Sequence, residues 1–116
     1  MSKLSNKLTK YKIPVLHNEY WVYVIICDCG TTIKQSGYVF NFDDARGKCY
    51  FVNSDYQSLI FIDRKLSKHQ LAGTLAHEAA HAVDSIMEYT KITDTEFRGQ
   101  CVGSIVSTVL KKEWKK

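Results

Sequence analysis

The sequence has few of the features that mark linkers, membrane segments or targeting signals. It contains one proline among 116 residues, with no internal repeat and no low-complexity stretch, which argues for a single domain over residues 1–116. No apolar run is long enough to span a bilayer, and the first residues lack the apolar core of a signal peptide. We therefore expect a soluble, cytoplasmic protein with no membrane partner.

The charge pattern does not indicate a nucleic-acid-binding surface. The net charge is +4, and many of the lysines cluster near the two ends of the sequence rather than alternating with aromatic residues. This pattern favours solvated termini, so we expect no nucleic-acid partner. In a reducing compartment the four cysteines are expected to be free thiols, and a soft-metal site built on the C-x-C pair is a weak alternative. They are Cys27, Cys29, Cys49 and Cys101.

Short β-rich stretches precede two helical segments. Residues 1–12 are polar and predict a loose N-terminal segment. The composition predicts strands over 20–27, 49–52 and 58–63, a short strand or ordered loop over 38–42, and helices over about 68–89 and 97–110. Together they predict an α+β fold, in which a small, mostly antiparallel sheet of about three to four strands packs on both helices.

One motif on the first predicted helix indicates a metal site. His77, Glu78 and His81 form H-E-x-x-H, and residues four apart lie on one helix face, so both imidazoles can reach one metal ion. Glu78 projects at a different angle, as a base beside the metal requires. A chance match is the alternative.

The surrounding residues favour a functional helix. Ser67 and Gln70 form a predicted capping box at its start. His77 and His81 lie away from the apolar side, so they are not simply part of the core face. The apolar stripe is Leu71, Leu75, Ala79, Ala82 and Ile86.

A catalytic zinc needs a third protein ligand. Asp84 shares the face of the histidines, but three ligands in a row on one helix give poor tetrahedral geometry, so it suits a supporting role. Glu96, at the start of the second helix, is the candidate ligand, and Asp94 is the second choice. Thr93-x-x-Glu96 is also a capping box, in which Glu96 would only hold a backbone N–H.

The stretch 74–84, followed by Asp94-x-Glu96, resembles the small zincin-type metallopeptidases of phages and mobile elements, including the ImmA/IrrE grouping. The resemblance implies zinc held by His77, His81 and Glu96, with Glu78 as general base, in the cytoplasm of the host cell. It also places Gln100 where the larger glutamate zincins often carry an aspartate, from which it could hydrogen-bond an imidazole.

Three functional hypotheses follow. In the first, the protein is a zinc metallopeptidase that hydrolyses a peptide bond with a zinc-activated water and Glu78 as base. Its protein or peptide substrate would add as a strand along Leu59–Asp63, unless that segment is a buried hairpin strand. In the alternative, a catalytically silent zincin fold binds a host or regulatory protein and zinc is structural. A metal-free helical interaction protein is the third hypothesis.

Overall fold

Six strands and two long helices make up the computed structural model, which describes residues 8–43 and 45–116. Every strand precedes both helices in the chain. The elements are β1 Thr9–Val15, β2 Tyr20–Cys27, β3 Thr32–Gln35, β4 Tyr38–Asn41, β5 Gly47–Val52, β6 Gln57–Asp63, α1 Lys68–Thr90 and α2 Thr95–Glu113. A single 3-10 turn, Asn53–Asp55, links β5 to β6.

Four of the strands form a mixed sheet in the order β1-β2-β6-β5. The β1–β2 and β5–β6 pairs are antiparallel, and β2 pairs with β6 in parallel. The remaining strands, β3 and β4, form a separate antiparallel hairpin. The structure thus confirms the predicted α+β class and the packing on two helices, and it adds a parallel pair and a hairpin.

The sheet is covered on both faces. The helices cover one face, where side chains such as Val22, Ile60 and Ala79 form one buried cluster. The hairpin covers part of the other face, where Phe42 stacks on Phe61 with 5.6 Å between ring centroids. Because β2 and β6 are central and buried on both sides, their sequences are continuous apolar runs rather than alternating ones.

The prediction of a loose segment over residues 1–12 is wrong from Thr9 onward, and its first seven residues lie outside the described part of the chain. Residues Thr9–Val15 form an edge strand. Tyr11, Ile13 and Val15 point into the core, whereas the alternate residues Lys10, Lys12 and Pro14 are exposed. That alternation is typical of a half-buried strand, but the lysines made the segment look like a solvated terminus.

The predicted edge at Leu59–Asp63 is also wrong. These residues belong to β6, which pairs with β2 on one side and with β5 on the other, so Leu59 lies between Tyr23 and Tyr50. A strand bonded on both sides offers no backbone groups to a substrate. The edge beside α1 is β5.

Both helices lie where the sequence predicted them. Ser67 caps α1, and the reciprocal bonds of the capping box with Gln70 are present. A short connection after Lys91, which has a left-handed φ of 65°, reverses the chain into α2. The two glycines of α2, Gly99 and Gly103, mediate no close approach to α1, because a Cβ at either would meet nothing within 4 Å. Within the described residues, no helix has an apolar stretch long enough to cross a membrane.

The glycine that does mediate a close approach is Gly47, the first residue of β5. A Cβ at this position would lie 2.6 Å from Thr74 Cγ2 and 3.1 Å from Glu78 Cγ. Thr74 and Glu78 are one turn apart on α1. Gly47 therefore allows the edge strand to lie directly against the motif helix at the level of Glu78.

We expect Gly47→Ala to destabilise the protein by about 1–3 kcal/mol, because the added methyl group overpacks a contact with no spare room. The measurement is the free energy of unfolding from urea titration. Gly99→Ala is the matched control, since this exposed helical position should gain up to about 1 kcal/mol. Thr74→Ser removes the clashing methyl group, so it should rescue part of the loss in the double variant. Equal stability of Gly47→Ala and the wild type would contradict the packing described here.

Candidate metal centre

The two motif histidines converge on one point in space. His77 and His81 are both exposed on α1, and their Nε2 atoms are 3.0 Å apart. The rings are nearly perpendicular, at 89°, with centroids 4.5 Å apart. One helical turn separates the residues, so this convergence follows from their spacing.

A spacing of 3.0 Å between two ring nitrogens requires something between them. In the neutral state, one ring donates an Nε2–H to the other, and this gives a hydrogen bond. If both nitrogens present lone pairs, a shared cation must neutralise their repulsion. Two nitrogens bound tetrahedrally to one Zn²⁺ are separated by roughly 3.3 Å, so the pair fits two positions of a zinc site with little adjustment.

Glu78 occupies a different environment from the histidines. Its side chain is only 8% exposed, although its neighbours on the helix surface face solvent. Glu78 lies under the start of β5, as the Gly47 contact shows. The carboxyl group is therefore held between the motif helix and the edge strand, beside the imidazole pair and not on its outer side.

Cys49 is the second β5 residue that faces α1. Burial raises the pKa of its thiol far above the ordinary value, and the nearby charge of Glu78 raises that pKa further. Cys49 is therefore a neutral thiol at physiological pH and a poor nucleophile. It contributes a small apolar wall to the space around Glu78.

Asp84, predicted to support an imidazole, accepts hydrogen bonds from Arg98. Arg98 on α2 donates from Nε to Asp84 Oδ1 at 2.6 Å and from Nη2 to Oδ2 at 3.2 Å. The hydrogen bond to Arg98 lowers the pKa of Asp84, and the charges of Arg98 and His81 also act in that direction. Arg98 thus joins the two helices in this structure.

Glu96, the predicted third ligand, lies in the first turn of α2. It is exposed, and its backbone N–H is held by the side chain of Asp94.

Asp94 and Gln100 are the remaining predicted site residues. Asp94 is the N-cap of α2 and accepts from the backbone N–H of Glu96 at 2.9 Å; the Thr93 capping box is therefore not formed. Gln100 lines a cleft of about 300 Å³ with Pro14, His17 and Phe97, beside the β1–β2 turn. Across residues 8–43 and 45–116, no three His, Cys, Asp or Glu side chains are grouped so that they could hold a metal ion. The histidine pair fits zinc, and Glu96 as the third ligand stays a prediction.

Two parts of this site had no signal in the sequence. Gly47 and Cys49 lie about 30 residues before Glu78, and only the pairing of β5 at the sheet edge brings them to the motif helix. The four cysteines are free thiols, as predicted. Nothing in the spacing of Cys49 distinguished it from the others.

We expect an exposed cysteine to be alkylated faster than a buried one. Iodoacetamide at pH 7.5 should alkylate the exposed Cys29 much faster than Cys49, because the thiolate is the reactive form and the pKa of Cys49 is raised. Mass spectrometry of tryptic peptides measures the two rates. Denatured protein provides the control, in which both residues should react alike. Faster labelling of Cys49 than of Cys29 in the folded protein would show that the β5–α1 packing is wrong.

Comparison of the chain with protein-family models, with curated proteins and with solved structures found no match. The relation to small zincin-type metallopeptidases accordingly remains a resemblance carried by the motif residues.

Proposed function

We propose that this protein is a zinc-dependent peptide hydrolase with a zincin-like site. The observation that carries the proposal is the convergence of His77 and His81, with Nε2 atoms 3.0 Å apart, next to a buried Glu78 at the unpaired edge of a sheet. A metal-binding pair, a base and a strand-binding surface are components that a zinc peptidase uses to hydrolyse an extended peptide, with the third zinc ligand proposed to be Glu96.

Each side chain has a role that its position supports. His77 and His81 would hold the zinc ion, which supplies Lewis acidity that lowers the pKa of water and polarises a carbonyl group. Glu78 accepts a proton from the attacking water and later donates it to the leaving amine nitrogen. Burial between α1 and β5 limits the positions that its carboxyl group can adopt.

The edge strand β5 is the proposed substrate-binding element. Its inner side pairs with β6, and no backbone hydrogen bond from the described residues reaches its outer side. An extended peptide added there satisfies these N–H and C=O groups as another strand would. The first residue of β5 contacts Glu78, so such a peptide would pass the catalytic base.

One observation favours the alternative function, a catalytically silent protein that binds another protein. The described residues include no group of three potential ligands, and a catalytic zinc site normally has three protein ligands and an open position. A catalytically silent fold that binds a host or regulatory protein needs no such set. Zinc dependence and the effect of Glu78 on cleavage separate the two functions.

We expect one zinc ion per chain, with both histidines required. His77→Ala and His81→Ala should each weaken zinc binding by about 100-fold or more, because a single imidazole forms no chelate. Competition with a fluorescent zinc chelator measures the affinity. His69→Ala, on the same helix and equally exposed, is the matched control. Wild-type affinity in both motif variants would contradict the site.

The third ligand is tested by the same measurement. Glu96→Gln should weaken zinc binding by about tenfold or more if Glu96 completes the site, and Glu88→Gln, an exposed glutamate on α1, should not. If Glu96→Gln binds zinc as tightly as the wild type, the ligand assignment is wrong, although the histidine pair remains.

We expect Glu78→Gln to abolish peptide hydrolysis while zinc binding remains close to wild type, because the amide keeps the size of the side chain but cannot accept the proton. Cleavage of a proteome-derived peptide library, analysed by mass spectrometry, measures the activity with zinc present. Glu88→Gln is again the control. Full cleavage by the Glu78→Gln variant would contradict the assigned base.

A further inference from the structure

Three exposed aromatic side chains lie near the end of β5, on β5 itself, on the turn that follows it and on α1. Phe51 is 48% exposed, Tyr56 52% and Tyr89 45%. The rings of Tyr56 and Tyr89 meet edge to face, with centroids 6.1 Å apart. We call Phe51, Tyr56 and Tyr89 the aromatic patch. Large apolar side chains that cluster in solvent often mark a binding surface.

The aromatic patch and Glu78 lie along the same line of contact between β5 and α1. Gly47 contacts Glu78, and side chains two apart in a strand share a face, so Cys49 and Phe51 follow on the side of β5 that faces α1. Beyond them, Asn53 Nδ2 donates to Ser85 Oγ on α1 at 3.1 Å. Tyr89 is one helical turn past Ser85. The outer edge of β5 therefore leads from the proposed base at its start to the aromatic patch past its end.

The backbone around Tyr56 holds its ring outward. Tyr56 has a left-handed φ of 54°, a conformation that costs a side-chain-bearing residue about 1 kcal/mol or more. Its N–H donates to Asn53 O at 3.0 Å, and its carbonyl accepts from Trp21 N at 2.9 Å. The N–H is thus fixed to the 3-10 turn and the carbonyl to β2, so little further ordering of the backbone is needed when a ligand binds the ring.

We propose that the aromatic patch is a specificity subsite that selects a hydrophobic side chain in an extended peptide paired with β5. The inference rests on the proposed function and names its substrate class. Antiparallel pairing has the better hydrogen-bond geometry, and it directs the amino terminus of the peptide toward the end of β5. The selected side chain therefore lies on the amino-terminal side of the bond that faces Glu78.

The edge itself argues for a peptide as the occupant. The outer N–H and C=O groups of β5 require partners at strand spacing, which an extended chain supplies and a small apolar molecule does not. The distance along the strand from Gly47, which contacts Glu78, to Phe51 is about 13.6 Å. We expect the hydrophobic residue about four positions before the cleaved bond.

A random heptapeptide library displayed on phage tests the subsite without relying on catalysis. The bait is full-length Glu78→Gln protein, which leaves captured peptides intact. We expect at least about tenfold enrichment of peptides that share one aromatic or branched aliphatic position. Adding Phe51→Thr, Tyr56→Asn and Tyr89→Gln to this bait should abolish the enrichment; asparagine is chosen because it tolerates the left-handed backbone.

A matched control removes exposed apolar side chains elsewhere. Tyr38→Thr with Val39→Thr alters the β3–β4 hairpin, where both residues are exposed, and should leave the enrichment unchanged. Thermal unfolding monitored by circular dichroism checks that each bait is folded. Equal enrichment on the triple variant, no enrichment on any folded bait, or enriched peptides without a shared hydrophobic position would each overturn the subsite.

Cleavage of the proteome-derived library by the wild-type protein tests the direction in which the peptide pairs with β5. Hydrophobic residues enriched before the cleaved bond support the antiparallel arrangement, and enrichment after it overturns that arrangement. Selection without any cleavage would support the subsite and contradict peptide hydrolysis. A dimer in light scattering that the triple variant converts to a monomer would overturn the proposal, because a second copy would then cover β5.

Discussion

The contact between Gly47 and α1 determines where Glu78 lies relative to the sheet. A glycine at the first position of β5 lets the strand backbone approach Thr74 and Glu78 more closely than any other residue would allow. The same contact buries the carboxyl group and places an unpaired strand edge beside it. The proposed base and the proposed peptide-binding surface therefore share one packing constraint, and a shift of β5 away from α1 would separate them.

The two faces of the sheet have different consequences for access. The helices close one face, and the β3–β4 hairpin covers part of the other with stacked aromatic rings. The central strands β2 and β6 are bonded on both sides and offer nothing to a ligand. The outer side of β5 is thus the direction from which an extended chain can approach Glu78.

Local features could be predicted from the sequence, and features that depend on strand order could not. The spacing of His77 and His81 and the capping box at Ser67 involve residues within one or two helical turns, so the motif helix was predicted closely. β2 was predicted with the bounds that the structure has, because its apolar run is continuous.

The errors were of a different kind. The edge was assigned to Leu59–Asp63 because sequence order does not reveal that β5 lies outside β6. Glu96 as the third ligand, by contrast, stays a prediction, because its distance from the histidines depends on how α2 packs against α1, and the sequence has no periodic signal for that packing.

The parallel pairing of β2 with β6 has a consequence for how the protein folds. Tyr20 and Gln57, joined by a hydrogen bond of 3.0 Å, are 37 residues apart, so the entropy of closing that loop opposes formation of the sheet. Helix α1, by contrast, has only local bonds to form. The imidazole pair can therefore assemble early, whereas the environment of Glu78 exists only after this long-range closure has been completed. The spacing of the histidines and the burial of Glu78 are therefore determined at separate stages of folding.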